Sequence, residues 1–239
     1  MPQIIPYSIP PTPLIPNSHK PLLLYKNCFL DPATGTVNAQ LAYDTFRQNH
    51  WTPRWITTYG HAQRSHYHPH THEAMVVLSG PGRIRWGTAD LADDPAKHTY
   101  GVAGTDFEEG SVFVDVEAGD LFVIPAGVAH KSYDVATANE EPVAWTGSGA
   151  QRIEAADERA FVGELQATGK VKGFTMMGAY PGEATWSWAE GGEHVGRFEE
   201  VWGVENAVLD PVFGREGGIH VYWGKGKGKG KEKGVKAAL

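Results

Sequence analysis

Residues 60–80 read GHAQRSHYHPHTHEAMVVLSG, and this stretch restricts the fold more than any other. His66, His68, His70 and His72 fall within seven residues, and Glu73 follows directly. The apolar MVVLSG run after them has strand character, and a strand alternates its side chains between two faces. His66 and His68 therefore point the same way. A short loop through Pro69 is expected to turn the chain and bring Glu73 back beside them. Two imidazoles and a carboxylate converging on one point are ligands for a divalent transition metal.

A second stretch, Gly119 to Asp134, reads GDLFVIPAGVAHKSYD. Pro125-Ala126-Gly127 forms a turn between an apolar strand, Leu121 to Ile124, and a strand that opens with His130. A histidine just after a tight turn is the expected fourth ligand. Gly60, five residues, His66, one, His68, four, Glu73, six, Gly80 resembles the first motif of the cupins without a spacing departure. Gly119, five, Pro125, one, Gly127, two, His130 resembles the second. The family usually closes that motif with Asn where this chain has Asp134, a turn position and not a ligand. PLLLY at 21–25, GAYP at 178–181 and DPVFG at 210–214 extend the resemblance to the small YjlB-like cupins over roughly residues 15–223.

The resemblance implies an all-β fold: a double-stranded β-helix or jelly-roll barrel with a few short helices. It implies one divalent transition metal ion (iron, manganese, copper, nickel or zinc) held by His66, His68, Glu73 and His130. It also implies a homodimer. His72 is the rival of Glu73. Neighbours on a strand face opposite sides, so only one of the two turns inward. The gap to Gly80 favours Glu73, and His72 is then a donor that orients a ligand from behind. His70 falls in the loop and is expected in solvent. His61 and His194 are expected on the surface or in the core. Tyr67 and Thr71 are expected to alternate to the outside. Trp86, Met75 and Phe122 are expected to be core packing rather than cavity wall. Lys131 and Tyr133 lie beside His130 with no assigned role, and Tyr133 is a candidate to face outward.

The 239 residues suit a single all-β domain, and 29 Gly with 16 Pro favour a turn-rich β protein over a helical bundle. Nothing approaches the roughly 20 apolar residues of a membrane span. The N-terminus is interrupted by proline too often for a secretory leader. Cys28 has no partner for an intrachain disulfide, which fits a reducing, cytoplasmic setting. The net charge of −7 conceals an asymmetry: residues 224–239 hold six Lys and one Glu, leaving 15 basic against 27 acidic residues elsewhere. So acidic a body is a poor partner for nucleic acid. The Gly/Lys tail is expected to be disordered.

In chain order, residues 1–20 are a Pro-rich extended arm, residues 21–223 a single cupin barrel domain, and the tail follows. Strands are expected at 21–25, 55–59, 83–87, 111–116, 142–146, 174–180 and, last, 219–223. Helices are expected at 41–50, closed by Pro53, and at 153–168. Residues 88–110 read as a long polar insertion. The function expected is a metal-dependent oxidoreductase, of dioxygenase or oxidase type, acting on a small organic molecule, with Glu73 also able to take a proton. A non-catalytic metal- or ligand-binding protein and a metal-assisted isomerase use the same ligands.

Overall fold

A computed structural model describes residues 2–61, 63–135, 141–147, 152–182 and 186–224. The Gly/Lys segment from residue 225 onward lies outside the described residues. Ten strands and four helices follow one another along the described chain, and among the described residues no helix interrupts the strands between Trp51 and Ala144. The larger sheet takes β1 (Ile4–Tyr7), β2 (Leu22–Tyr25), β7 (Leu121–Ile124), β4 (Glu73–Ser79), β10 (Thr175–Pro181), β3 (Trp51–Thr58) and β9 (Val143–Ala144), in that spatial order. The smaller takes β6 (Val112–Val116), β5 (Gly82–Trp86) and β8 (His130–Tyr133). Every pairing is antiparallel. The result is an all-β jelly-roll arrangement with a few short helices.

Period-two alternation decides what each strand buries. In β4, Met75 and Val77 join Leu22, Leu24, Phe122 and Ile124 in the core between the sheets, where Ile84, Trp86, Val114 and Val116 meet them from the other side. Ala74, Val76 and Leu78 face the opposite way, with Leu23, Tyr25, Leu121 and Val123, into a second core under the helices. That core is roofed by α1 (Ala39–Gln48), α2 (Glu158–Ala167) and α4 (Ile219–Tyr222); α3 (Phe198–Trp202) lies apart on the chain between β10 and α4. Glu73 has the parity of Met75 and Val77, so its side chain enters the space between the sheets. His72 has the parity of Ala74 and goes to the helix side, against Trp223 at 4.8 Å between ring centroids.

The structure corrects several sequence expectations. Residues 219–222 form α4 and not a last strand. The IHVYW composition favours a strand, but Ile219 and Trp223 are the buried residues, and a separation of four puts them on one helix face. Pro53 does not close a helix: it lies inside β3, opposite Ala179. Proline is tolerated there because β9 covers only Thr57 and Thr58, so β3 is an edge at Pro53. Tyr67 and Thr71 are buried, not outside. Tyr67 turns away from the histidines into a small cluster with Ile15, Ala89, Ala129 and Ala189. The Pro-rich stretch supplies β1, so the strand at 22–25 is the second. No helix among the described residues is long and apolar enough to cross a membrane.

Candidate metal centre

Backbone pairing brings the two histidine segments together. His66 N donates to His130 O at 3.1 Å, and His130 N returns to His66 O at 2.8 Å. Gly127 N donates to His68 O at 3.0 Å. Gly127 takes a φ of 91°, in the left-handed region, and a Cβ there would strike the Asn17 carbonyl. Only glycine lets the Pro125–Gly127 turn lie this close to its neighbours and deliver His130 to His66.

One ring nitrogen from each of His66, His68 and His130 lies within 4.8 Å of the others, and all three residues are buried. In each ring Nδ1 is engaged by a backbone carbonyl: Arg64 O at 3.3 Å for His66, Ser187 O at 3.0 Å for His68 and Val128 O at 3.2 Å for His130. Such a bond assigns the proton to Nδ1 and leaves the Nε2 lone pair for an ion. Burial pushes His66 well below its ordinary value, helped by the His130 and His68 rings, and burial also lowers His130. Neutral imidazoles are what a metal requires.

Glu73 is 1% exposed, and its two oxygens have different surroundings. Oε1 accepts a short hydrogen bond from the Tyr180 hydroxyl and another from Trp55 Nε1 at 3.3 Å. Oε2 stands 3.3 Å from Nε2 of both His68 and His130 and has no hydrogen-bond partner among the described residues. Burial alone would raise the Glu73 carboxyl, but His68, His130 and Tyr180 outweigh it and hold the pKa down at about 2. A buried carboxylate oxygen without a hydrogen bond costs free energy. Lying beside two of the three imidazole nitrogens, it fits a divalent cation as the missing partner. His66, His68, His130 and Glu73 are the residues able to hold one, and nothing in the donor set selects among the candidate metals.

His72 has a different task. Ala126 N donates to its Nδ1 at 2.9 Å, and its Nε2 donates to Glu205 O at 2.9 Å. Both nitrogens are occupied in the neutral form, and burial, aided by Lys20, lowers its pKa to about 3. An unfolded His72 takes a proton below its ordinary 6.5, whereas the folded one does not until about 3. Stability is therefore unaffected above pH 6.5 and falls as pH drops toward 3. At pH 5 the loss from this residue is about 2 kcal/mol. Urea unfolding of the metal-free protein at pH 7 and pH 5 is expected to show His72→Gln losing about that much less than wild type; equal losses in the two would contradict it.

The cluster opens into a cavity of about 370 Å³. Five aromatic residues line it: Trp55, Tyr59, Tyr180, Trp186 and Trp188. Trp188 packs on His66 at 4.7 Å and Trp186 on His68 at 5.0 Å. Glu73 is the one carboxylate in that wall among the described residues, and Arg64 is the one fixed cation, paired with Glu190 at 2.9 Å. Trp86, Met75 and Phe122 sit in the core between the sheets. His70 is exposed; His61 is half-buried outside the cluster, and His194 meets the Tyr67 hydroxyl at 2.7 Å. Lys131 and Tyr133 lie on the outer face of β8, yet both are buried. The aromatic wall was the part that sequence reasoning missed. Its available signal was the alternation Trp186-x-Trp188 and Gly178-x-Tyr180.

Comparison with curated proteins finds no match for this chain. Residues 50–157 match the family model described as Cupin. That span contains all three histidines and Glu73 on the paired segments described above, so the match to the cupin family falls on the part of the chain that carries the buried cluster suited to a metal ion.

Proposed function

We propose that this protein is a metal-dependent cupin and an oxidoreductase, of dioxygenase or oxidase type, acting on a small organic molecule. The observation that carries this reading is the convergence of His66, His68, His130 and Glu73 Oε2 at the base of an aromatic-lined cavity. When bound there, a redox-active divalent ion supplies electron-transfer and Lewis-acid chemistry. The chain's own side chains do the rest. Trp55, Tyr59, Trp186 and Trp188 bind an apolar body and keep water from it. Glu73, if it leaves the ion, is placed to accept a proton at Oε2 from a substrate hydroxyl, while the Tyr180 hydroxyl keeps its own proton and donates to Oε1. Hydrolysis by an acid–base pair of carboxylates needs a second acid in the wall, and the described lining has only Glu73. The PLLLY, GAYP and DPVFG stretches support a place among the YjlB-like cupins.

The test is direct. Untagged protein from cells grown with each metal supplement is analysed by mass spectrometry and then assayed for oxygen uptake with phenols, diketones and organic acids. Stoichiometric iron, manganese or copper with uptake on some substrates is expected. Zinc alone, with no uptake under any supplement, would place the protein among binding proteins or isomerases. Glu73→Gln is expected to lose turnover, and a variant keeping metal and full turnover would remove the proton role.

A further inference from the structure

The carboxylate of Glu73 is held by one oxygen. Tyr180 and Trp55 both donate to Oε1, and Trp55 Nε1 also lies 3.1 Å from the Tyr180 hydroxyl. The two donors come from β10 and β3, which follow β4 in the larger sheet, so three adjacent strands set the arrangement. Each donor is itself fixed. The Trp55 indole lies over Gly178, where a Cβ would overlap it. The Tyr180 ring stacks on Trp186 at 5.6 Å with planes 18° apart and meets the His68 ring edge-on at 5.2 Å. Trp55 and Tyr180 are 6% and 1% exposed, so neither donor exchanges its partner for bulk water.

We propose that Tyr180, assisted by Trp55, is a positioning residue that makes Glu73 offer Oε2 alone to a metal. With Oε1 occupied, the carboxylate cannot turn to present both oxygens, and the place its second oxygen would fill is kept for a ligand from the cavity. The proposal rests on the cluster holding a metal, and not on which reaction follows. Charge-assisted hydrogen bonds in a dry site are strong and directional, which suits them to this task. A phenylalanine at 180 fills the same space but frees Oε1.

The test uses the full chain loaded with Co²⁺, whose visible absorption reports its ligands, and azide as the outside ligand. Tyr180→Phe is expected to keep stoichiometric cobalt, shift the visible bands and weaken azide binding about tenfold or more. Trp55→Phe, which removes the longer bond, is expected to move both readouts the same way by less. Tyr100→Phe, at an exposed residue of the 88–110 segment that does not line the cavity, is expected to match wild type. Wild-type bands and azide affinity in Tyr180→Phe would overturn the proposal. So would loss of cobalt from a folded Tyr180→Phe, because the hydroxyl would then be needed for metal retention itself. If Tyr180→Phe does not fold, an unchanged Trp55→Phe overturns it. Wild-type protein that takes up no cobalt fails the metal reading instead, so the two failures are distinct.

Discussion

His130→Ala is expected to abolish stoichiometric metal binding while leaving the fold intact. A metal held by four protein ligands gains on the order of 10–16 kcal/mol in favourable cases, so removing one costs about 3 kcal/mol, or more than a hundredfold in affinity. The His130 ring approaches Glu73 Oε2 at 3.3 Å and packs on His66 at 4.4 Å between centroids, so its loss also loosens two other side chains of the cluster. The backbone bonds between residues 66 and 130 do not depend on the imidazole, and the pairing of β8 with β5 survives. His70→Ala serves as the control, because His70 is exposed and outside the cluster. Metal content by mass spectrometry after dialysis, with circular dichroism for the fold, decides it. Full metal occupancy in folded His130→Ala would mean that the ion sits elsewhere.

The part of the centre legible in the sequence is the part written locally. His66 and His68 are two residues apart, and His72 and Glu73 are neighbours, so strand parity alone sends one of the latter pair to each side of the sheet. The turn at 125–127 and the histidine three residues later are equally local. Tyr180 and Trp55 were not legible as partners of Glu73, because that relation depends on β10 inserting between β4 and β3, and Tyr180 is 107 residues away from Glu73. The same limit explains the errors in the elements. The helix expected at 153–168 is present but begins at Glu158, where Asp157 caps it by accepting from Ala160 N. The expected strand at 219–223 was wrong because the residues that needed burial, Ile219 and Trp223, follow a helical spacing set by what they pack against.

Residues 88–110 are polar in sequence, yet the insertion is tied firmly to the segments beside it. Asp90 is the tie. Its Oδ1 accepts from Arg85 at 2.5 Å and from Lys131 at 3.3 Å, and its Oδ2 accepts from the backbone N of Ser65, just before His66, at 2.8 Å. Arg85 is 1% exposed and Lys131 fully buried, so this carboxylate is the counter-charge for two cations in a dry place. Burial lowers Lys131 to about 8, and Asp90 works against that fall. Phe107 offers the Arg85 guanidinium a ring face at 4.2 Å, and Pro95 O accepts from Lys131 at 2.8 Å, but neither carries a charge. Asp90→Asn is therefore expected to destabilise the protein by about 3–5 kcal/mol, the cost of leaving buried charge uncompensated. That is a large share of the roughly 5–15 kcal/mol that holds a typical domain together. Removing one of the cations as well should restore part of the loss, so Asp90→Asn with Lys131→Met is expected to be more stable than Asp90→Asn alone. Urea unfolding of the two single variants and the double variant measures the coupling. An Asp90→Asn protein within about 1 kcal/mol of wild type would show that water or a rearranged neighbour screens the pair, and that the insertion is anchored by other contacts.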